Sequence, residues 1–117
     1  EWICYKNSGL KRTNKTPLEW AKELESLGAG EILITSIERD GLMKGYDQEL
    51  ISLLTSNLRI PVIASGGAGP FNDLYLAVSK SKASALAAAS IFQFTENTPN
   101  DIKNFLRTKD IPVRINL

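Results

Sequence analysis

The 117-residue sequence has no histidine, one cysteine and no long apolar run. Without histidine, acid–base chemistry would depend on carboxylates, Lys, Tyr or the thiol of Cys4. A lone cysteine forms no internal disulfide, which fits a reducing compartment. No stretch reaches the ~20 apolar residues of a membrane span, and the first residues lack the basic and apolar regions of a signal peptide. We therefore expect a cytoplasmic protein with no membrane partner, and we assign it no metal and no cofactor.

An excess of charge of one sign is also absent, because fourteen basic residues stand against thirteen acidic ones and the net charge is +1. No basic stripe stands out along the chain, which argues against nucleic acid as an obligatory partner. A chain of this length makes one domain at most. The composition therefore indicates a single domain without a nucleic-acid partner.

Apolar residues recur with the spacing of helices and of strands in alternation. The tetrapeptide Thr16-Pro17-Leu18-Glu19 is typical of a helix start, with Thr as N-cap and Pro at the first helical position, and Gly28 ends that helix. The apolar segment Glu31–Ile37 lacks clean alternation, which predicts a strand covered on both faces. The later predicted elements are a loop over Glu38–Gly45, a helix capped by Asp47, a strand from Pro61, a helix from Phe71, a strand over Ala83–Phe92 and a helix that starts at Thr98-Pro99-Asn100-Asp101. Elsewhere we predict short extended ends at Glu1–Tyr5 and Ile111–Leu117 and a polar loop over Lys6–Lys15.

This alternation predicts right-handed βαβ units and therefore an α/β fold with a parallel sheet. Ligands of such sheets gather at the carboxyl ends of the strands. Those ends are predicted at Thr35-Ser36 with Asp40 close behind, at Ser65-Gly66-Gly67, and at Ala89-Ser90. Two adjacent loops with a short helix after the second are typical of the phosphate site of a (β/α)8 barrel.

The glycine-rich stretch PVIASGGAG carries most of this prediction. Its backbone N–H groups, followed by a helix N-terminus, favour a bound phosphate. The glycine spacing matches neither the dinucleotide fingerprint nor the Walker loop, so a tight strand–helix turn is the structural alternative. Similar alternatives exist for Ser90 as a helix cap, for Asp40 as a turn residue and for Thr35 as a plain strand residue.

Four motifs, in order and spacing, are GAGEILITSIERDG, GYD, IPVIASGGAG and AAASIF. Together they resemble the C-terminal part of the cyclase subunit of imidazole glycerol phosphate synthase, a (β/α)8 barrel of histidine biosynthesis. The resemblance runs from about Glu1 to the end of the chain. It implies that residues 1–117 are a C-terminal half-barrel fragment, a partial (β/α)8 TIM barrel with roughly the last three to four βα units.

The family's substrate is a ribulosyl carboxamide ribotide with a phosphate at each end. With ammonia from a glutaminase partner it gives imidazole glycerol phosphate and an aminoimidazole carboxamide ribotide. By resemblance, Asp40 and Gly41 line the loop over this substrate, Thr35 lies near the reacting centre, and Glu31 matches a charged residue of the ammonia gate at the opposite end of its strand. The residues that would hold one phosphate are Ser65, Gly66, Gly67, Ala89 and Ser90.

The family's two catalytic aspartates lie upstream of anything present here, so we assign no catalytic residue and expect the chain alone to be inactive. Two other functions stay open. Some relatives of the cyclase serve the amidation of surface-polysaccharide sugars, with the same ammonia delivery and phosphate site. Alternatively, the chain is a non-catalytic half-barrel module that forms homo-oligomers, because an open parallel sheet leaves unpaired edges.

Overall fold

Three parallel strands lie at the centre of the fold in this computed structural model, which describes residues 2–115. The elements in chain order are β1 Tyr5–Lys6, β2 Lys11–Arg12, α1 Pro17–Ser26, β3 Ile32–Thr35, α2 Gln48–Asn57, β4 Val62–Ser65, α3 Phe71–Ser79, β5 Ala85–Leu86, α4 Ser90–Phe94 and α5 Pro99–Thr108. The sheet order is β3-β4-β5, with Ile34 opposite Ala64 and Ala64 opposite Leu86. The predicted α/β fold with a parallel sheet is confirmed, and it is consistent with a partial barrel. Residues 2–115 form no closed barrel.

Four helices, α1, α2, α3 and α5, begin at the residues that the sequence predicts. The Thr16 side chain accepts a hydrogen bond from the Glu19 N–H and caps α1. Asp47 accepts from the Leu50 N–H and caps α2. At α5, the side chains of Thr98 and Asp101 each accept from the other residue's N–H, which is a complete capping box.

The N-terminal prediction is wrong in one respect, because the polar loop contains a hairpin. Strands β1 and β2 pair antiparallel, with Tyr5 opposite Arg12. The turn between them holds Asn7, Ser8 and Gly9, all at positive φ. Positive φ is tolerated by Asn and favoured by Gly, so two of the three turn residues suit this conformation. Of the predicted extended segments, Glu1, Asn116 and Leu117 lie outside the described residues, and residues 111–115 have no regular structure.

The predicted strand Ala83–Phe92 is also wrong in length. Only Ala85–Leu86 pairs with β4, and Phe92 lies in α4. The chain leaves the sheet after Leu86, where the Ala87 N–H donates to the Ala64 carbonyl and the Ala87 carbonyl accepts from the Tyr46 hydroxyl. A run of small residues therefore turns here instead of extending the strand.

The two faces of the sheet differ, so the prediction that β3 is covered on both faces is wrong. We call the side that packs against the helices the helix-covered face; its residues are Ile32, Ile34, Val62, Ala64 and Leu86. The opposite side is the open face; its residues are Leu33, Thr35, Ile63, Ser65 and Ala85. Val62 is 1% exposed, whereas Leu33 is 60% exposed.

Within residues 2–115 no helix has both the length and the apolar character that a membrane crossing requires.

Candidate functional site

A cavity of about 130 Å³ opens at the carboxyl edge of the sheet, between the loops that follow β3, β4 and β5. It is several times larger than the space that one water molecule needs. Seven of the nine residues predicted for the site line it: Asp40, Gly41, Ser65, Gly66, Gly67, Ala89 and Ser90. The structure therefore brings together residues that are up to fifty positions apart in sequence.

The other two predicted residues lie elsewhere. Thr35 is exposed on the open face, opposite Ser65 in the strand register, and is not part of the cavity lining. Glu31 is exposed and directly precedes β3, at the amino edge of the sheet and away from the cavity. The structure thus separates the predicted gate residue from the predicted phosphate residues by the length of a strand.

Backbone N–H groups are the main donors available at the cavity. Within the described part of the chain, the N–H groups of Gly66, Gly67, Ala89 and Ser90 donate no hydrogen bond to another protein atom. A buried N–H without an acceptor is costly, and Gly66 and Gly67 are buried. These groups are therefore suited to an anion, whose oxygens would accept from them.

The two glycines also have a packing role. Gly66 has φ of +90°, and a Cβ there would lie 2.7 Å from the Ser36 carbonyl oxygen. Gly67 has φ of +109°, and a Cβ there would overlap the carbonyl of Gly45. The loop after β4 thus packs directly against the loop after β3, with the Gly45 N–H donating to the Gly67 carbonyl at 2.7 Å. The tight strand–helix turn and the N–H groups suited to an anion therefore depend on the same two residues, Gly66 and Gly67.

Hydroxyls lie on both sides of the cavity, on Ser65 and Ser90. Ser90 is the first residue of α4, and the cap position is taken by Ala89 without a side-chain hydrogen bond, so Ser90 does not cap this helix. A Cβ on Gly41 would lie 3.9 Å from the Ser90 Oγ. The loop after β3 therefore reaches across to the start of α4.

Asp40 is the one charged side chain among the described residues that line the cavity. Its N–H donates to the Ser36 carbonyl at 2.9 Å, so it also serves in the turn. A carboxylate repels phosphate and accepts hydrogen bonds from hydroxyl groups. Asp40 is thus suited to a neutral, hydroxyl-bearing part of a ligand, and the phosphate would depend on backbone and hydroxyl dipoles.

Four lining residues were not predicted: Met43, Ala68, Ala87 and Ala88. Ala68 and Ala88 are sequence neighbours of predicted residues, so a wider window around each strand end would have included them. Met43 carries no such signal.

Outside the lining, burial raises the pKa of the Cys4 thiol, the charge of Glu19 raises it further, and Lys15 opposes both. This thiol therefore stays protonated at neutral pH and is a poor nucleophile.

The parallel βαβ fold and a cavity at the carboxyl ends of its strands define an α/β protein, and both features are consistent with part of a (β/α)8 barrel. The chain belongs to the histidine biosynthesis protein family, whose model matches residues 3–98. It is 50% identical over 114 residues to the imidazole glycerol phosphate synthase subunit HisF of Dehalococcoides mccartyi, which covers 97% of this chain and 45% of that protein. For the subunit of the same name in Lachnoclostridium phytofermentans the identity is 46% over 114 residues, covering 97% and 44%. The chain spans about half the length of these relatives, and the resemblance found in the sequence is confirmed.

Proposed function

We propose that residues 1–117 are the C-terminal half-barrel part of a cyclase subunit of imidazole glycerol phosphate synthase, and that the cavity holds one phosphate of its substrate. The observation that carries this proposal is the cavity itself. It gathers the predicted phosphate residues around N–H groups that have no acceptor among residues 2–115. Asp40, on the same lining, would accept a hydrogen bond from a substrate hydroxyl next to that phosphate.

The test of the phosphate site is a titration with inorganic phosphate at constant ionic strength, in which amide-resolved NMR is the readout. We expect saturable shifts at Gly66, Gly67, Ala89 and Ser90. Ser65→Ala should weaken binding by roughly two- to tenfold, the range of one hydrogen bond, and Glu31→Gln at the opposite edge is the matched control. Shifts spread evenly over the surface, or equal effects of the two variants, would contradict the site.

Catalysis is proposed for the longer enzyme and not for this chain alone. By resemblance, the general acid–base aspartates and the glutaminase that delivers ammonia belong to the intact enzyme, and such groups must lie within hydrogen-bond reach of the substrate. We expect the purified chain to give no turnover with ammonia and the ribulosyl carboxamide ribotide. Formation of imidazole glycerol phosphate by this chain alone would overturn that statement.

The two relatives favour the histidine pathway over sugar amidation, because both carry the name of imidazole glycerol phosphate synthase. A second candidate function, self-assembly, is favoured by the open face. Leu33 is 60% exposed there, and closed barrels fill this side with side chains. Sedimentation at several protein concentrations, with and without phosphate, tests it: homo-oligomers would give a defined larger species, and a monomer at every concentration would exclude them.

A further inference from the structure

Tyr46 of the GYD motif is 1% exposed although it follows an exposed loop. Three of its polar groups are hydrogen-bonded. Its N–H donates to the Asp73 carboxylate at 2.6 Å, its carbonyl accepts from Arg39 Nη1 at 3.2 Å, and its hydroxyl donates to the Ala87 carbonyl at 2.9 Å. One residue therefore links α3 and the two loops that form opposite walls of the cavity.

The approach of Asp73 depends on the preceding glycine. Gly45 has φ of +118°, and a Cβ there would lie 2.8 Å from an Asp73 carboxylate oxygen. Glycine therefore leaves the space through which Asp73 reaches the Tyr46 N–H. Asp73 is in the first turn of α3, so the loop after β3 is attached to the helix that follows β4.

The bond from the Tyr46 hydroxyl also sets the direction of a peptide group. In a trans peptide the C=O and the next N–H point in opposite directions, and the described residues contain no cis peptide. The Ala87 carbonyl is directed toward Tyr46 in the core. The N–H of Ala88 is therefore directed away from that core, and Ala88 lines the cavity. This N–H donates no hydrogen bond to another described residue.

We propose that Tyr46 is a positioning residue for the anion site: its hydroxyl orients the Ala87–Ala88 peptide so that the Ala88 N–H is a further donor to the bound phosphate. The proposal rests on the function proposed above, in which this cavity binds phosphate. Tyr46 touches no ligand itself and acts through the peptide that it holds.

The test compares the chain, Tyr46→Phe and Tyr75→Phe in a titration with inorganic phosphate, read by amide-resolved NMR at constant ionic strength. Tyr75→Phe is the matched control, because Tyr75 packs against the same core and its hydroxyl donates no hydrogen bond among the described residues. We expect the Ala88 N–H of the unmodified chain to shift on titration. Tyr46→Phe should lower phosphate affinity by roughly three- to tenfold and remove the Ala88 shift while Gly66 and Gly67 still respond.

A second readout needs no ligand and keeps the two proposals apart. In the absence of phosphate, Tyr46→Phe should change the carbonyl carbon shift of Ala87, and Tyr75→Phe should not. If phosphate moves Gly66 and Gly67 but not Ala88 in the unmodified chain, the role of Tyr46 is overturned while the phosphate site stands. If phosphate moves none of these groups, the proposed function fails and takes this proposal with it, even where the Ala87 carbonyl responds. If Tyr46→Phe binds phosphate as tightly as the unmodified chain, the role of Tyr46 is also overturned.

Discussion

The helix-covered face and the open face are built by the same three strands, yet only the first is packed. Val62 and Ala64 are 1% and 0% exposed beneath α1, α2 and α3. On the other side Leu33 is 60% exposed, and the cavity lies where this face meets the strand ends. In a (β/α)8 barrel the open side fills the interior. The helix layer of such a fold therefore assembles from local βα units, whereas its interior depends on strands from the other side of the barrel.

The strongest test of this difference compares Leu54→Ala with Leu33→Ala. Leu54 is fully buried between Ala21 and Val62, so its truncation should lower the free energy of unfolding by about 2–5 kcal/mol. Leu33 is exposed, and its truncation should change that quantity by about 0.5 kcal/mol or less. Chemical denaturation at low protein concentration measures both. Similar losses for the two variants would mean that the open face is covered in solution.

At the carboxyl edge, Gly67→Ala sharpens the comparison by separating backbone strain from packing. The control is Gly28→Ala, because Gly28 has φ of +100° with no atom within 4 Å of an added Cβ. Positive φ should cost each variant about 1–2 kcal/mol. Gly67→Ala should lose about 2–4 kcal/mol in total, since its Cβ also displaces the backbone of Gly45. The same denaturation experiment measures both losses. Equal losses would contradict the close contact between the loops after β3 and β4.

How much of this was readable from the sequence depends on the range of the interactions. The caps at Thr16 and Thr98 are local, and they were predicted to the residue. Six of the eleven cavity residues were predicted because the alternation of strands and helices sets where each strand ends, and Gly41 was predicted from the family resemblance alone. Which side of β3 is covered could not be predicted, because it depends on strands that pack from elsewhere. The Tyr46–Ala87 hydrogen bond joins residues 41 positions apart, and nothing local to GYD indicates it.

The buried phenol of Tyr46 makes the free energy of unfolding depend on pH in the alkaline range. Burial, and secondly the charge of Asp73, raise the pKa of Tyr46 above its ordinary value of 10.0. The unfolded chain thus releases this proton at lower pH than the folded one. The stabilisation is complete below pH 10 and is lost as pH rises, at up to roughly 1.4 kcal/mol per pH unit.

Tyr46→Phe isolates this effect, since it removes this phenol and leaves every other residue in place. The variant should be about 1 kcal/mol less stable at neutral pH, through the lost hydrogen bond, and the difference should shrink above pH 10. Denaturation curves between neutral and alkaline pH measure it. A difference that stays constant with pH would show that the phenol is not buried as described.

The smallest expected effect concerns Thr35 on the open face. Its side chain is exposed, and it pairs in register with Ser65 without lining the cavity. Thr35→Val keeps the shape and the β-branched character of the residue and removes one hydroxyl. We expect the free energy of unfolding to change by about 0.5 kcal/mol or less and the affinity for inorganic phosphate to stay within roughly twofold, because no hydrogen bond to that anion is lost. Calorimetric titration beside Ser65→Ala measures the contrast. A loss as large as that of Ser65→Ala would place the bound phosphate farther out on the open face than the cavity indicates.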